Sequence, residues 1–256
     1  MRFVVIFLTG CSSLLDLEPP PVPLDAIATP SWTFRDDFEL GDLQRWSRMT
    51  PLQSANGSFE IATSGAHAGC CALHASVAPP DSGFQYALEQ WPQATPMAPP
   101  VTSGTIAVRA YVRAVALDPD TRELSITEGG SSPDAFTSAG LGRSDQGNGT
   151  SWGFILTDPS TTSYPQQSPD LVSDAIGGWH CVEYDLAVAD AGHLALYMDG
   201  ELQIAGDANT STSTGWDSVT IGLGFSRGTA ASEVYIDDVA IALYSDTSPT
   251  IHLGCE

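Results

Sequence analysis

Short runs of alternating apolar and polar residues, separated by turn residues, dominate this chain from residue 32 onward. Alternation with a period of two is typical of a strand with one buried face, and no stretch has the period of an amphipathic helix. Many such runs, punctuated by Gly, Pro, Asn and Asp, predict an all-β sandwich or barrel. The predicted strands are 58–63, 71–77, 84–90, 104–115, 122–127, 151–157, 178–188, 193–199, 201–205, 217–225 and 232–243.

Two of these runs indicate which side chains share a face. In the first, Arg109, Tyr111 and Arg113 alternate with apolar residues, and in the second Glu183 and Asp185 do the same. Side chains at i and i+2 of a strand point to one face of the sheet. The five polar residues therefore predict a polar sheet face on the side away from the core.

Two pieces between the runs have a different composition. The segments 116–150 and 158–177, which surround the run 122–127, are rich in Gly, Ser, Asp and Pro. Such composition predicts long loops, and loops on a rigid sandwich often carry binding residues.

The first eleven residues have the features of an export signal. Arg2 precedes the apolar run 3–8, which is too short to span a bilayer. The tetrapeptide Leu8-Thr9-Gly10-Cys11 resembles a bacterial lipobox, in which the cysteine is acylated and becomes the new N-terminus. We therefore expect an exported protein anchored through lipid on Cys11 at the outer membrane or cell surface. The alternative is an ordinary cleaved signal with an incidental cysteine.

The chain after the signal is predicted to consist of a tether and one domain. Residues 12–31 are rich in proline, including three consecutive prolines at 19–21, and predict an extended tether. The domain is expected to occupy residues 32–256.

The charge balance excludes one class of partner. The chain has 31 acidic residues against 9 basic ones, all of them arginine, for a net charge of −22. Nucleic-acid binding needs clustered basic residues, which are absent from the sequence. The same charge disfavours contact with an anionic membrane surface, so membrane association is expected through the lipid anchor alone.

Four cysteines remain if Cys11 carries lipid. Cys70, Cys71, Cys181 and Cys255 allow three pairings in an oxidising compartment. We favour Cys181–Cys255, because a cysteine near a chain end usually ties down a segment that would otherwise fray. Cys70 and Cys71 are then either joined to each other or reduced. A catalytic cysteine is not expected, since no basic neighbour is evident to lower a thiol pKa.

Four motifs bracket most of the chain. They are Asp36-Asp37-Phe38-Glu39 with Trp46, Gly177-Gly178-Trp179-His180-Cys181-Val182-Glu183, Leu196-Tyr197-Met198-Asp199-Gly200, and Val234-Tyr235-Ile236-Asp237-Asp238-Val239. In order and spacing they resemble concanavalin A-like lectin/glucanase domains of the laminin-G type, as found in lipoproteins of myxobacteria. The resemblance implies a two-sheet antiparallel jelly-roll β-sandwich. The edge motifs are also similar to galactose-binding-like jelly rolls, which remain the alternative fold.

The same resemblance bears on catalysis. Glucanases of this kind carry a Glu-x-Asp-x-Glu motif, and retaining hydrolysis needs two closely spaced carboxyl groups. Glu183 and Asp185 match its first two members, but Ala187 or Val188 stands where the last Glu is required. Glucanase activity is therefore not expected. Both carboxylates could instead pair with arginines of a neighbouring strand, as carboxylates commonly do across a sheet.

Glycan recognition fits the polar face better. Sugars are bound by planar polar groups and aromatic faces, and Trp152, Tyr164 and Trp216 lie in or near predicted loops where they could stack, unless they belong to the core. The predicted carbohydrate-binding residues are Arg109, Tyr111, Arg113, Trp152, Glu183 and Asp185. The predicted function is a non-catalytic glycan-binding or adhesion module of the envelope. The alternatives are a divergent polysaccharide hydrolase or lyase, and a structural protein–protein interaction module.

One metal site is predicted. Asp237 and Asp238 lie near the end of the last strand, and Asp36 or Asp37 from the chain start could join them on a structural Ca²⁺. The alternative is a solvated strand end with one hydrogen-bonded, buried Asp. No other cofactor is expected.

Overall fold

A computed structural model describes most of the predicted domain. The described residues are 30–46, 57–79, 85–90, 100–116, 122–128, 138–145, 150–158, 161–167, 177–212, 215–226, 231–247 and 253–255. Within these ranges no helix is long and apolar enough to span a membrane. Cys11 and residues 12–29 of the predicted tether lie outside the described residues. Ser31 already contacts the domain, since its backbone N–H donates to the Leu243 carbonyl at 2.7 Å.

Fourteen strands form in the described residues, and the strand pairs between them are antiparallel. They are β1 (Trp32–Asp36), β2 (Gly57–Ala62), β3 (Ala72–Val77), β4 (Gln85–Gln90), β5 (Gly104–Ala116), β6 (Arg122–Glu128), β7 (Ser138–Asp145), β8 (Thr150–Asp158), β9 (Thr161–Gln167), β10 (His180–Val188), β11 (Gly192–Met198), β12 (Glu201–Ala208), β13 (Trp216–Ser226) and β14 (Ser232–Tyr244). The eleven predicted runs all form strands at nearly the predicted positions.

The strands form two sheets. The first sheet has the order β12-β11-β10-β5-β14-β3-β2, with β1 pairing the second half of β14. The second sheet has the order β4-β13-β6-β7-β8-β9. The prediction of an all-β, two-sheet antiparallel sandwich is therefore confirmed.

The prediction of loops over 116–150 and 158–177 is wrong in two places. Strand β7 lies between β6 and β8, where main-chain hydrogen bonds on both sides hold a Gly- and Ser-rich sequence in the sheet. Strand β9 pairs only with β8 at the edge. An edge strand tolerates Pro165, which has no N–H to donate to a neighbour. Neither strand has the apolar alternation by which eleven of the strands are predicted; β1 is not predicted either.

The core lies between the sheets and contains the apolar faces predicted from alternation. Ile106, Val108 and Val112 of β5 are buried with Val219 and Ile221 of β13. Trp216 also belongs to this core, because it is 0% exposed and its indole N–H donates to the Thr210 carbonyl at 2.9 Å. It is therefore unable to stack on a ligand, and of the two alternatives that the sequence leaves open for Trp216, a loop surface or the core, the core is the one observed.

Two details of backbone geometry position the functional residues. Asp199 and Gly200, between β11 and β12, have φ of 51° and 82°, as expected for the predicted two-residue turn. Asp238 has φ of 48° and lies where the register of β14 on β5 shifts, between Asp237 and Ala240. This β-bulge directs two adjacent carboxylates toward the loop between β2 and β3.

Two disulfides are present in the described residues. One joins Cys181 to Cys255, the pairing that the sequence favours, and the other joins the adjacent residues Cys70 and Cys71. The first fixes residues 253–255 onto the first sheet.

Candidate functional site

The outer face of the first sheet, which points away from the core, gathers most of the predicted carbohydrate-binding residues. Arg109, Tyr111 and Arg113 lie on β5, and Glu183 and Asp185 lie on the neighbouring strand β10. In the register, Glu183 is directly opposite Arg109. The sixth residue, Trp152, lies on β8 of the second sheet, so the structure does not bring it together with the other five.

One end of the outer face carries a partly exposed cluster, here called the aromatic platform, made of His67, Tyr111, Arg113, Trp179 and Tyr235. The rings of His67 and Tyr111 are stacked, with centroids 3.6 Å apart, and Trp179 meets His67 edge-on at 5.6 Å. The guanidinium carbon of Arg113 lies 4.4 Å from the Tyr235 ring centroid and 5.3 Å from that of Trp179. The side chains therefore hold one another in place through ring stacking and cation–π contacts.

The loop between β2 and β3 supplies His67 and is tied to the β14 bulge. The backbone N–H of His67 donates to Asp237 at 2.9 Å, and the Nδ1 of the His67 ring lies 2.8 Å from a carboxylate oxygen of Asp238. In the same loop Gly65 has φ of +83°, and a Cβ there would lie 2.5 Å from Arg113 Nη2. The positive φ favours glycine at this position, and a larger residue would also require the flexible end of Arg113 to shift.

The predicted calcium ligands Asp237 and Asp238 are engaged by hydrogen-bond donors. Asp237 accepts the backbone N–H of His67 and, at 2.8 Å, that of Asp238. Burial raises the Asp237 pKa to about 6, against the lowering effect of these amides. Asp36, the third candidate, accepts the N–H groups of Phe38 and of the Trp46 indole. Amide donors directed at a carboxylate fit a hydrogen-bonded bulge better than a cation site, since a cation requires lone pairs.

A second group with metal-ligand chemistry comprises Glu39, Cys70 and Cys71, whose ligand atoms lie within 4.8 Å of one another. The two sulfurs are joined to each other, and Glu39 accepts the N–H of Cys70 at 2.8 Å and that of Cys71 at 3.2 Å. A disulfide lacks the thiolates that bind metal ions. In this oxidised state Glu39 therefore anchors the start of β3.

The other end of the outer face is covered by residues 253–255, here called the strap. Both carboxylate oxygens of Glu183 accept strap N–H groups, one from Leu253 and the other from Gly254 at 2.7 Å. Arg109 Nη1 donates to the Gly254 carbonyl at 2.9 Å. The Leu253 side chain packs against Ala107, Ala242 and Tyr244. The strap therefore takes up hydrogen-bonding groups of two predicted carbohydrate-binding residues, Arg109 and Glu183.

Asp185 lies in the covered half and is exceptional. It is 2% exposed, and neither of its carboxyl oxygens has a hydrogen-bond partner in the described part of the chain. Burial raises its pKa well above the usual value, and the charge of Glu183 raises it further. Burial and then these two acids also raise the pKa values of Tyr197 and Tyr244. A perturbed carboxyl on a polar face is a functional-site candidate.

An open cavity of about 410 Å³ adjoins the outer face beside β1 and the β14 bulge. Three of the chain's nine arginines line it, together with four carboxylates. These residues are Arg35, Arg45, Arg109, Asp36, Asp37, Glu39 and Asp238. Leu40 and Val239 complete the lining, so the cavity offers a ligand both charged groups and apolar surface.

Sequence reasoning did not assign Trp179, His67 and Tyr235 to the site. Alternation places Trp179 on the Glu183 face of its strand, and Tyr235 two residues from Asp237, so both were within reach of the pattern. His67 belongs to a loop without periodicity, and no local signal indicates that it stacks on Tyr111.

Comparisons with solved structures bear on the fold. The chain is similar to the cellulose induced protein Cip1, with a TM-score of 0.61 and 18% identity, over 87% of this chain and 100% of that one. It is similar to the endo-β-1,4-glucuronan lyase of the fungus Trichoderma reesei, with a TM-score of 0.60 and 16% identity, over 87% and 99% of the two chains. Both likenesses show the concanavalin A-like jelly-roll fold.

A third likeness is partial. The binding domain of botulinum neurotoxin DC gives a TM-score of 0.50 at 12% identity, over 75% of this chain and 43% of that one. The chain matches no protein-family model and no curated protein.

Proposed function

We propose that this domain binds glycans on the outer face of its first sheet, through the aromatic platform and without catalysis. The observation that carries the proposal is the preorganised, partly exposed group of Trp179, His67 and Arg113. Aromatic faces stack on sugar rings, while a guanidinium donates hydrogen bonds to hydroxyl or carboxylate oxygens. Because ring stacking already fixes these side chains, binding costs little side-chain entropy.

The comparisons support a carbohydrate-related role in general terms. One neighbour is named as induced by cellulose and the other as a glucuronan lyase. Both likenesses are at low identity, so the ligand of this domain is inferred from its own residues. A net charge of −22 favours neutral glycans for most of the surface, while Arg113 gives the platform one site for a uronate.

Two features argue against catalysis at this face. The third carboxylate of the glucanase motif is absent, and Glu183 is engaged by the strap. The second candidate function is a divergent polysaccharide lyase, favoured by the likeness to the glucuronan lyase and by the adjacent His67, Tyr111 and Arg113. Release of unsaturated uronate from oligoglucuronate by the wild-type domain, lost on replacing Tyr111 with Phe, would establish that alternative.

The test of the main proposal is a glycan array probed with the oxidised domain. Replacing Trp179 with Ala is expected to weaken binding about tenfold or more, because buried aromatic anchors typically contribute over 1 kcal/mol at an interface. The control is Leu202→Ala, which truncates an exposed apolar side chain on β12, away from the platform. It should leave binding unchanged.

Either of two results would contradict the proposal. One is a blank array with a protein that melts cooperatively, which would favour a protein–protein interaction module. The other is equal loss of binding in Trp179→Ala and Leu202→Ala.

We also propose that the protein is exported and anchored in the envelope by lipid on Cys11. The support is the lipobox-like sequence before a proline-rich tether. Metabolic labelling with a clickable palmitate tests it: a labelled wild type and an unlabelled Cys11→Ala variant are expected, and equal labelling would refute the anchor.

The structural calcium site at Asp237 and Asp238 stays a prediction. Its support is the pair of adjacent carboxylates at the bulge, and its difficulty is the set of amide donors that they already accept. Calcium titration of chelator-treated protein decides the matter, since no heat and no rise in melting temperature would exclude the site.

A further inference from the structure

The strap is held on the outer face in the manner of a bound ligand. Glu183 receives two N–H donors from it, and Arg109 donates to one of its carbonyls. These are contacts to main-chain atoms, so they do not depend on the side chain of Leu253. Any molecule presenting two adjacent donors and one acceptor could satisfy the same pair.

Beneath the strap the face is unfinished. Asp185 is buried beside Glu183, and its oxygens have no hydrogen-bond partner among the described residues. Arg109 is only 9% exposed, and its Nε also lacks a partner in that part of the chain. Unpartnered buried polar groups are costly, and native proteins keep few of them without a reason. The strap therefore satisfies Glu183 and one nitrogen of Arg109, and leaves the Nε of Arg109 and the carboxyl group of Asp185 without a hydrogen-bond partner among the described residues.

We propose that the strap is a removable cover over a second sugar subsite, formed by Glu183, Asp185 and Arg109, which a dithiol reductant opens by cleaving the Cys181–Cys255 disulfide. The proposal rests on the proposed glycan binding, because it extends the same face beyond the aromatic platform. In the register, Cys181 is opposite the platform residue Tyr111, so the two subsites are contiguous.

The opening step is ordinary thiol–disulfide exchange. A thiolate of the reductant attacks one sulfur of the Cys181–Cys255 bond and forms a mixed disulfide, releasing the other cysteine as a thiolate. The second thiol of the reductant then displaces the remaining cysteine. The reductant leaves as its own disulfide, both protein sulfurs take up protons, and two electrons have passed to the protein.

The chemistry of the uncovered subsite favours a neutral sugar. The carboxylate of Glu183 balances the guanidinium of Arg109 opposite it, so the subsite has no net positive charge to hold a uronate. The two oxygens of Glu183, which now accept two N–H groups, would accept two adjacent sugar hydroxyls. Arg109 and a protonated Asp185 would donate to sugar oxygens, which gives Asp185 the partner that it lacks.

The experiment compares closed and opened forms of the full chain. Opened forms are the reduced wild type and Cys255→Ser, and the matched control is the Cys70→Ser/Cys71→Ser double variant, which loses the other disulfide. Each is titrated with cellohexaose and with oligoglucuronate, and Asp185 accessibility is followed by carbodiimide labelling with mass spectrometry. Leu253→Asp, with the disulfide intact, loosens the cover if Cys255→Ser fails to fold.

Opening is expected to increase both Asp185 labelling and cellohexaose affinity about tenfold, without a matching gain for oligoglucuronate. Asp185→Leu in the opened protein, which has no donor or acceptor at that position, should remove the gain, and the double-serine control should not produce one. A folded, opened protein with no gain in cellohexaose affinity would overturn the proposal, as would equal Asp185 labelling in both forms. Failure of the proposed function is distinct, since it appears as a closed form that binds neither oligosaccharide or whose binding is insensitive to Trp179→Ala.

Discussion

Removing the Cys181–Cys255 disulfide is expected to lower the free energy of unfolding by about 4 kcal/mol. The two cysteines are 74 residues apart, and a cross-link that closes a loop of this size restricts the unfolded chain by roughly that amount. Typical domains have only about 5–15 kcal/mol of stability in total. The measurement is guanidinium unfolding of Cys181→Ser/Cys255→Ser, in which no free thiol is left at either position.

The second disulfide provides the control. Cys70 and Cys71 are adjacent, so their bond closes almost no loop, and Cys70→Ser/Cys71→Ser should cost far less stability. Equal losses in the two double variants would mean that local packing, rather than chain constraint, accounts for the effect.

Replacing Asp185 with Asn is expected to stabilise the protein at pH 8 by about 1 kcal/mol or more, because a carboxyl whose pKa is raised by folding loses about 1.4 kcal/mol of stability for each pKa unit once the unfolded chain is ionised. The wild-type carboxyl has a folded-state pKa well above its value of 3.8 in the unfolded chain, because it is buried beside Glu183. Its folded form therefore binds the proton more tightly than its unfolded form.

The sign of the pH dependence follows from that difference. Between pH 4 and the folded-state pKa, the unfolded chain releases the Asp185 proton while the folded protein keeps it, so wild-type stability falls as pH rises. Asn does not titrate, and the advantage of the variant should shrink toward zero near pH 4. Urea unfolding at pH 4.5 and pH 8 measures both values.

An exposed acid on the same sheet is the matched control. Glu201→Gln at the start of β12 should change stability by less than about 0.5 kcal/mol at either pH. A destabilised Asp185→Asn at pH 8 would mean that Asp185 has a hydrogen-bonding role in the folded protein that outweighs its burial.

The sequence predicts the sheets better than it predicts the site. Alternation assigns Arg109 and Glu183 to one outward face because the strand period of two is a local property. It cannot indicate that Glu183 accepts hydrogen bonds from the strap. The two strap residues lie 70 and 71 positions after Glu183 in the sequence, beyond the reach of a local pattern. Trp152 illustrates the same limit, because its assignment to the other sheet depends on strand order rather than on local pattern.

Loops and strands without apolar alternation account for the other differences between the sequence predictions and the structure. The position of His67 over Tyr111 depends on the turn at Gly65 and on the bulge at Asp238, neither of which has a periodic signal. Strand β7 forms because two neighbours supply its main-chain hydrogen bonds, although its own side chains favour a loop.

The most direct test of glycan binding at the aromatic platform is an NMR titration that follows tryptophan indole N–H signals. Trp179 lies on the platform, whereas Trp216 is buried and donates to the Thr210 carbonyl, so it serves as an internal reference. With cellohexaose or oligoglucuronate we expect a saturable shift of the Trp179 signal and none for Trp216. An unmoved Trp179 signal at saturating concentrations of both oligosaccharides would contradict the account.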